Sequence, residues 1–480
     1  MTEHTLTTEP AASRPARAPV RSGLALAIIL ICQLMLILDA TVMNVAIPRI
    51  QADLRFSPTG VSWVMTSYSL VFGGLLLLGG RAGDLFGRRR MFVLGTAVFT
   101  LASLAGGLAG SAELLIAARI AQGIGAAMAG PNTLALITTT FTEARARMRA
   151  LSLFSAMASG GFAIGLLLGG LLTEWISWRS ALFINVPFGL AIVLLAPRFV
   201  PDPERRHAHL DLPGAIAGTL GVSALVFAFT HGGSDGWDNP VTLGSLGAGV
   251  VLLAGFLVLQ ARGSQPLVPL RLFAERNRAA AYANFFLGPM AMMSMFFFLT
   301  QFLQDVQHFA ALQTGFAFLP MAAMVFALSR SIPRLLPRFG PKPLAITGTV
   351  LMIAGAGWLT QLTPSSGYVA TLLGPMVLMG VGVGLAFSPM NVLVMTSVAT
   401  EDAGAAGGVL QTMQQVGAAL GLSILMTVSG SVTRSAAGSG VRGPQLMVDG
   451  MTAAFLGASL LAGLSFLVAL TFRRQHTTTS

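Results

Sequence analysis

Long apolar segments recur along almost the whole chain, and they limit what it can fold into. They lie at 24–47, 60–79, 91–110, 114–138, 150–172, 180–198, 213–231, 241–260, 279–303, 313–332, 344–362, 369–389, 406–429 and 451–471. A helix needs roughly 20 mainly apolar residues to cross a bilayer, where its backbone must satisfy its own hydrogen bonds. The pattern predicts an all-α membrane protein with 14 transmembrane helices.

The composition agrees with lipid as the solvent. Only 10% of the 480 residues are charged and 54% are hydrophobic, so polar side chains are too few to cover a soluble globule. The single cysteine, Cys32, lies inside the first apolar segment, which excludes an intramolecular disulfide and a cysteine metal cluster. We expect Cys32 to serve packing.

The net charge of +11 is spread over one set of loops, and this distribution predicts the topology. Of 29 Lys and Arg residues, 23 lie on the side that both termini share, five lie on the other side, and Arg119 lies inside a span. Positive residues concentrate in the cytoplasm, so both termini are predicted to be cytoplasmic in a cell-membrane protein. Residues 1–22 and 474–480 are then cytoplasmic tails, the first one polar and disordered.

The loops between the apolar segments are short and leave no room for a nucleotide-binding domain. The phosphate-binding pattern G-x-x-x-x-G-K-[ST] does not occur, and the only lysine is Lys342. We therefore expect no ATP-driven step, cofactor, metal site or nucleic-acid partner, and no enzymatic activity.

Two charged residues are predicted to lie at the same depth in the membrane. With a rise of 1.5 Å per residue, Asp39 in the first span and Arg119 in the fourth both lie about 8 Å below the outer edge of the hydrocarbon. An acid in hydrocarbon costs roughly 2.5 to 3.5 kcal/mol and is a functional candidate by default. A neighbouring arginine favours the charged form of an acid and desolvation favours the neutral form. The pair is a candidate proton switch, and a fixed structural ion pair is the alternative.

Three further segments contain glycines at positions that suggest tight reversals or close helix packing. Gly80–Arg90 reads as a tight loop with Gly80, Asp84 and Gly87 before a basic cluster that includes Arg88 and Arg89. Glycines that let another helix approach closely occur at Gly123, Gly125, Gly161, Gly165, Gly169 and Gly170. Ordinary close packing and a topology anchor are the alternatives for these segments.

Polar side chains in the spans of the second half are mainly amides, so a proton carrier is expected in the first half. With the Met- and Phe-rich stretch at 290–298, they suit a pliable apolar cavity with a few hydrogen bonds, although packing is the commoner role. The candidate substrate contacts are Asn44, Tyr68, Asn284, Gln301, Gln304, Asn391, Gln411 and Gln415.

Four motifs, in this order along the chain, resemble those of the major facilitator superfamily and its fourteen-helix drug:proton antiporter branch. Leu38–Pro48 is similar to the branch's signature in helix 1, and Gly80–Arg90 to the superfamily's motif between helices 2 and 3. Arg119–Gly125 is similar to the helix 4 motif, and Trp178–Pro187 to a branch marker that enters helix 6. The resemblance covers nearly the whole chain.

The resemblance implies two six-helix bundles, at 23–200 and 266–473, with an inserted helix pair at 201–265, that rock between inward- and outward-open states. It also implies coupling roles for Asp39 and Arg119 and a gating role for Asp84. Two positions depart from the family pattern: Leu166 stands where the helix 5 motif commonly has Pro, and Leu85 replaces a frequent Arg. Residues 330–342 resemble a degraded second copy of the loop motif, as an internal repeat predicts.

The resemblance therefore implies a proton-coupled antiporter that exports hydrophobic drugs or antibiotics across the cytoplasmic membrane. Its expected partners are protons, a small hydrophobic substrate and membrane lipid, and it is expected to be a monomer. A dedicated exporter of a single secondary metabolite is the main alternative, because the sequence does not separate broad from narrow export. Uptake by proton symport is a third possibility.

Overall fold

The computed structural model describes residues 20–57, 60–202, 211–263, 266–398 and 403–472, and the regular elements in these ranges are all helices. The tail predicted at 474–480 lies outside them, as does that at 1–22 apart from its last three residues. The α-helices are α1 (Val20–Asp53), α2 (Trp63–Phe86), α3 (Arg88–Gly107), α4 (Ala112–Thr140), α5 (Ala144–Trp175), α6 (Ser180–Phe183), α7 (Asn185–Phe199), α8 (Leu212–Asp235), α9 (Pro240–Arg262), α10 (Arg276–Gln301), α11 (Ala311–Ala317), α12 (Leu319–Phe339), α13 (Pro341–Leu359), α14 (Leu373–Thr396), α15 (Ala403–Gly438) and α16 (Pro444–Leu470).

Most of these helices are long and apolar enough to cross a membrane. Within the described ranges, 13 helical segments meet that description. Two of them join shorter helices: α6 and α7 form Ser180–Phe199, and α11 and α12 form Ala311–Phe339. Helix α5 contributes a further apolar stretch, Gly160–Trp175. The chain therefore has the all-α membrane fold that its apolar segments predict.

Several helices begin at side chains that supply the hydrogen bonds the first turn lacks. Ser111 accepts from the backbone N–H of Leu114 at the start of α4, and Asp211 accepts from that of Gly214 at the start of α8. Asn239 caps α9 in the same way, and Pro240 occupies the first helical position, where no N–H is needed. These local signals set where the spans begin.

The reversal after α2 is tighter than the sequence suggests, and the predicted loop at Gly80–Arg90 is wrong in extent. Helix α2 continues through Gly80 and Asp84 to Phe86, and α3 begins at Arg88. Gly87 alone makes the turn, with φ 106° and ψ 124°, a conformation that disfavours any residue with a Cβ. Gly340 occupies the corresponding place between α12 and α13, with φ 76°, which supports the internal repeat.

The helices pack in two groups. Helices α1 to α7, called here the first half, pack mainly among themselves, and so do α10 to α16, the second half. Helices α8 and α9 pack on each other, and α8 also lies against α15 and α2. The hydroxyl of Thr427 in α15 donates to the carbonyl of Phe229 in α8 at 2.6 Å, so α8 is bonded to the second half.

The chain alternates between two ends of the molecule. We call the end where α1 and α5 terminate, at Asp53 and Trp175, the far end, and the end where α2 and α12 terminate, at Phe86 and Phe339, the near end. Buried side chains of both halves form one continuous apolar core that includes Val45 and much of α10. The candidate charged residues lie within the first half.

Candidate functional site

Asp39 and Arg119 form a fully buried ion pair inside the first half. Arg119 Nη1 donates to Asp39 Oδ2 at 2.6 Å, and neither side chain has exposed surface. The two charges therefore lie at one level and in contact, as their predicted depths required. A buried charge is tolerated when it is paired and hydrogen-bonded. Both side chains of this pair are, although Arg119 Nη2 is buried without a hydrogen-bond partner.

The other carboxylate oxygen of Asp39 is held by two amides. Gln122 Nε2 and Asn185 Nδ2 each donate to Asp39 Oδ1 at 2.9 Å. Gln122 also accepts from Arg119 Nη1 at 2.8 Å and donates to the hydroxyl of Ser103 at 2.8 Å. Side chains from α4 and α7 thus converge on a carboxylate of α1, and a hydroxyl of α3 holds Gln122.

Arg119 is further held by helix α2. Its Nε donates to the carbonyl oxygen of Val64 at 2.9 Å, and its guanidinium carbon lies 4.4 Å from the centre of the Tyr68 ring. A desolvated guanidinium gains electrostatic stabilisation over an aromatic face. Tyr68, predicted as a substrate contact, is buried and covers the arginine in this state.

Two glycines of α4 allow neighbouring helices to approach the charged pair. A methyl group at Gly123 would lie 3.0 Å from the carbonyl oxygen of Tyr68 in α2, and one at Gly125 would lie 2.6 Å from the backbone nitrogen of Phe99 in α3. Close contact on both sides holds α4 between these two helices. Small residues permit helix contacts of this kind, and the packing role of both glycines stays a prediction.

The glycines of α5 line its contact with α1 and with the second half. Substituents at Gly161, Gly165 and Gly169 would collide with or crowd α1, the second of them against the Thr41 hydroxyl. A methyl group at Gly170 would lie 2.6 Å from the Cα of Leu312 in α11. Leu166, which stands where Pro is common, places its carbonyl oxygen 2.5 Å from the position a Cβ on Gly315 would take.

The near-end motif forms a local ion pair and a link to α7. Asp84 Oδ1 accepts from Arg88 Nε at 3.0 Å and from Arg88 Nη2 at 2.7 Å. Arg89 donates to two carbonyl oxygens at the end of α7, those of Pro197 and Val200. Gly80 is less constrained, because an added methyl group would lie 3.6 Å from Pro131 of α4, an ordinary van der Waals distance.

At the far end, Asn44 and two of the predicted amides join the two halves. Thr300 Oγ1 in α10 donates to Asn44 Oδ1 in α1 at 2.9 Å, and Gln304 Nε2 donates to the Val45 carbonyl oxygen at 2.9 Å. The amide nitrogen of Asn44 is buried without a hydrogen-bond partner. Gln301 Nε2 donates to the α1 side chain of Gln51 at 3.4 Å.

The remaining predicted substrate contacts do not gather around that interface. Asn284 is buried within the second half, where it accepts from the Ser465 hydroxyl and donates to the carbonyl oxygen of Ala280. Asn391 is exposed, and Gln411 is partly exposed. Gln415 packs against Gly73 of α2. The structure therefore brings Asn44, Gln301 and Gln304 together and leaves the others apart.

Two polar partners of Asp39 were not predicted, Gln122 and Asn185, and neither was Ser103, which accepts from Gln122. The sequence carried a signal for Gln122, which follows Arg119 by three residues and therefore lies on the same helix face. Asn185 was noted only as part of the branch marker. Asp53 was also missed: it accepts from Trp178 Nε1 at 2.9 Å and Arg179 Nη1 at 2.8 Å, and so ties α1 to that marker.

No resident metal site is evident in the part of the chain that the structure describes, since it contains no group of three His, Cys, Asp or Glu side chains arranged to hold an ion. The arrangement around Asp39 instead concentrates one acid, one permanent cation and two amides in a sealed volume. Acids buried inside a membrane protein in this way are candidates for functional sites.

The chain is similar in sequence to known proteins over most of its length. The family model described as Major Facilitator Superfamily matches residues 29–422. The cephamycin export protein CmcT of Amycolatopsis lactamdurans is 40% identical over 88% of this chain and 88% of its own length. The puromycin resistance protein pur8 of Streptomyces alboniger is 41% identical over 88% of this chain and 85% of its own. The multidrug resistance protein Stp of Mycobacterium tuberculosis is 35% identical over 82% and 73%.

Solved structures share the fold at low sequence identity. The POT family transporter PepTSo aligns with a TM-score of 0.68 at 13% identity, and the match covers 96% of this chain and all of that chain. The human organic anion transporter MFSD10 aligns with a TM-score of 0.64 at 15% identity, over 94% of this chain and all of that chain. At these identities the likeness concerns the fold alone.

Proposed function

Because the chain belongs to the Major Facilitator Superfamily, we propose that it is a proton-coupled antiporter that exports hydrophobic drugs or antibiotics across the cytoplasmic membrane. The observation that carries this proposal is the fully buried pair of Asp39 and Arg119. All hydrogen-bond partners of this carboxylate come from the protein. Binding of a proton would therefore change which arrangement of the helices is favoured, and a change of that arrangement would change the affinity for the proton.

The proposed topology has 14 transmembrane helices with both termini in the cytoplasm. Two six-helix bundles, at 23–200 and 266–473, flank the inserted pair at 201–265. The predominance of Lys and Arg in the near-end loops supports this orientation, which makes the far end the outer face. The hydrogen bonds of Asn44 and Gln304 between the halves at that end are then features of an inward-facing state.

The mechanism we propose is alternating access about the interface between the halves. In the outward-facing state, Asp39 takes up a proton from the acidic side. In the inward-facing state, it releases that proton in exchange for substrate. Arg119 stabilises the ionised form, and breaking the far-end contacts between α1 and α10 accompanies outward opening. At the near end, Asp84 and Arg88 belong to the gate that closes when the far end opens.

The proposed substrates are small hydrophobic molecules, for two reasons. The relatives named above are named for cephamycin export, puromycin resistance and multidrug resistance. Helix α10 also presents a Met- and Phe-rich surface at the interface between the halves, where Phe296 contacts both Phe162 and Phe318. Such a surface adapts to varied apolar shapes.

A dedicated exporter of one metabolite is the second candidate, and the name of the CmcT relative favours it. Antibiotic-susceptibility profiling of a sensitive bacterium that expresses the chain separates the two candidates. Resistance to several chemically unrelated drugs is expected for the first candidate. Resistance to a single compound would support the second, and accumulation of drug instead of resistance would contradict export.

Proton coupling is tested in everted membrane vesicles with a preformed pH gradient and puromycin as the first probe. Asp39→Asn is expected to abolish gradient-driven export while the protein still reaches the membrane. Glu113→Gln is the matched control, because Glu113 belongs to the first turn of α4 and is exposed at the far end. Export by Asp39→Asn at the normal rate would refute the assignment.

A further inference from the structure

The hydrogen bonds around Asp39 suit only one of its two protonation states. Arg119, Gln122 and Asn185 all direct N–H groups at its oxygens. Donors of this kind match a carboxylate, which only accepts. A protonated carboxyl group carries an O–H that needs an acceptor, and this arrangement offers it none.

Two of the three donors cannot become acceptors without losing other bonds. Arg119 has no acceptor atom in any state. Gln122 uses its oxygen for Arg119 Nη1 and its nitrogen for both Asp39 and the hydroxyl of Ser103. A half-turn of the Gln122 amide would therefore point its N–H groups at the N–H of Arg119 Nη1. It would also break the buried hydrogen bonds to Asp39 and Ser103.

Asn185 is different because one side of its amide is unused. Its Nδ2 donates to Asp39, whereas its Oδ1 is buried and has no hydrogen-bond partner. Leaving a buried carbonyl oxygen unpaired is unfavourable, and such atoms in a folded protein call for an explanation. A half-turn of this amide exchanges oxygen for nitrogen and breaks no other hydrogen bond of the side chain.

We propose that Asn185 is a switchable positioning residue, which donates from Nδ2 to ionised Asp39 and accepts at Oδ1 from protonated Asp39. The proposal rests on the proton-coupling function proposed above. The proton arrives from solvent and bonds to a carboxylate oxygen, and no other bond of the chain is made or broken apart from the exchange of one hydrogen bond for another. The unpaired oxygen is then the acceptor reserved for the second state.

The charged and titratable groups that face Asp39 are few among the described residues. Arg119 faces it from α4, and the phenol of Tyr68 lies beyond the guanidinium on α2. Helices α3 and α7 contribute the uncharged Ser103 and Asn185. A pH-dependent change in this cluster is therefore expected to involve Asp39 itself.

Infrared difference spectroscopy of the purified chain in lipid vesicles, recorded between alkaline and acidic pH, tests the proposal without a substrate. Protonation of Asp39 gives a carboxylic-acid C=O band that is absent from Asp39→Asn. In Asn185→Leu this band is expected to shift to higher wavenumber, because the acid has lost its hydrogen-bond partner. The control Asn132→Leu removes another buried amide of the first half, one bonded to backbone carbonyls of α2 and α4, and is expected to leave the band in place.

A second variant keeps the test decisive if Asn185→Leu does not fold. Asn185→Asp has the same shape and places a second carboxyl group against Asp39 Oδ1, where two like charges cannot both ionise. The band is then expected to persist at a higher pH than in the unmodified chain. An unchanged band in both Asn185 variants would contradict the switch and leave proton coupling standing. The absence of any Asp39-dependent band at all pH values would contradict both the switch and proton coupling.

Discussion

The carboxylate of Glu174 in α5 accepts a hydrogen bond from the backbone N–H of Leu312 in α11, at a distance of 2.9 Å. A side chain of the first half thereby supplies an acceptor to the first turn of a helix in the second half. A carboxylate is favourable at such a position, since backbone N–H groups at a helix start are otherwise unpaired. Because this contact joins the two halves at the far end, we expect it to break when that end opens.

Removing that carboxylate is expected to loosen the far end. In a Cys32→Ala background, Val45→Cys gives a single thiol at a position buried between the halves. With Glu174→Ala added, a membrane-impermeant thiol reagent applied outside is expected to label it several-fold faster, because Glu174 is exposed and its hydrogen bond contributes about 1 kcal/mol. Glu113→Ala serves as the control, and equal labelling in both variants would argue against a latch.

A methyl group at Gly170 is expected to force the halves apart, because it would lie 2.6 Å from the Cα of Leu312. Gly170→Ala should cost about 1 to 3 kcal/mol through overpacking and lower export at least severalfold. Gly160→Ala in the same helix is the matched control, since nothing lies within 4 Å of the added atom. Thermal unfolding and vesicle export measure both effects, and indistinguishable variants would contradict close packing at Gly170.

Replacing Arg119 by lysine tests whether export requires the planar, multiply donating guanidinium or only a positive charge. A lysine ammonium cannot reach Asp39, Gln122 and the Val64 carbonyl together, as the guanidinium does. We expect Arg119→Lys to lower export by about tenfold or more, the equivalent of 1.4 kcal/mol in the coupling step. Arg49→Lys, at an exposed position of α1, should retain normal export. Full activity of Arg119→Lys would indicate that charge balance alone suffices.

Asn284 was predicted to contact substrate, and its environment gives a different expectation. Its amide is bonded within the second half to Ser465 and to its own helix, and it is buried. Asn284→Leu is therefore expected to lower thermal stability by about 1 to 3 kcal/mol through an unpaired hydroxyl partner. The relative resistance to different drugs should stay unchanged. A selective loss of resistance to one drug would indicate that Asn284 contacts substrate.

Much of the fold could be predicted from local sequence. Crossing a bilayer requires a fixed length of apolar helix, so the spans followed from hydropathy, and depth followed from counting residues along α1 and α4. The equal depth of Asp39 and Arg119 could therefore be predicted from the sequence. The extent of the loop at Gly80–Arg90 could not, because a helix that continues to Phe86 and a loop that begins at Gly80 have the same composition.

What the sequence by itself determined is the all-α membrane class, the two charges within its apolar helices and the glycines that permit close approach. What only the tertiary structure decided is which helices are neighbours. Lipid is as apolar as the side chains it meets, so hydropathy contains no information on lateral packing. Asn185 reaches Asp39 across 146 positions of sequence, and Thr300 reaches Asn44 across 256. Those contacts exist because the folded arrangement of helices satisfies buried polar groups that no single helix could pair alone.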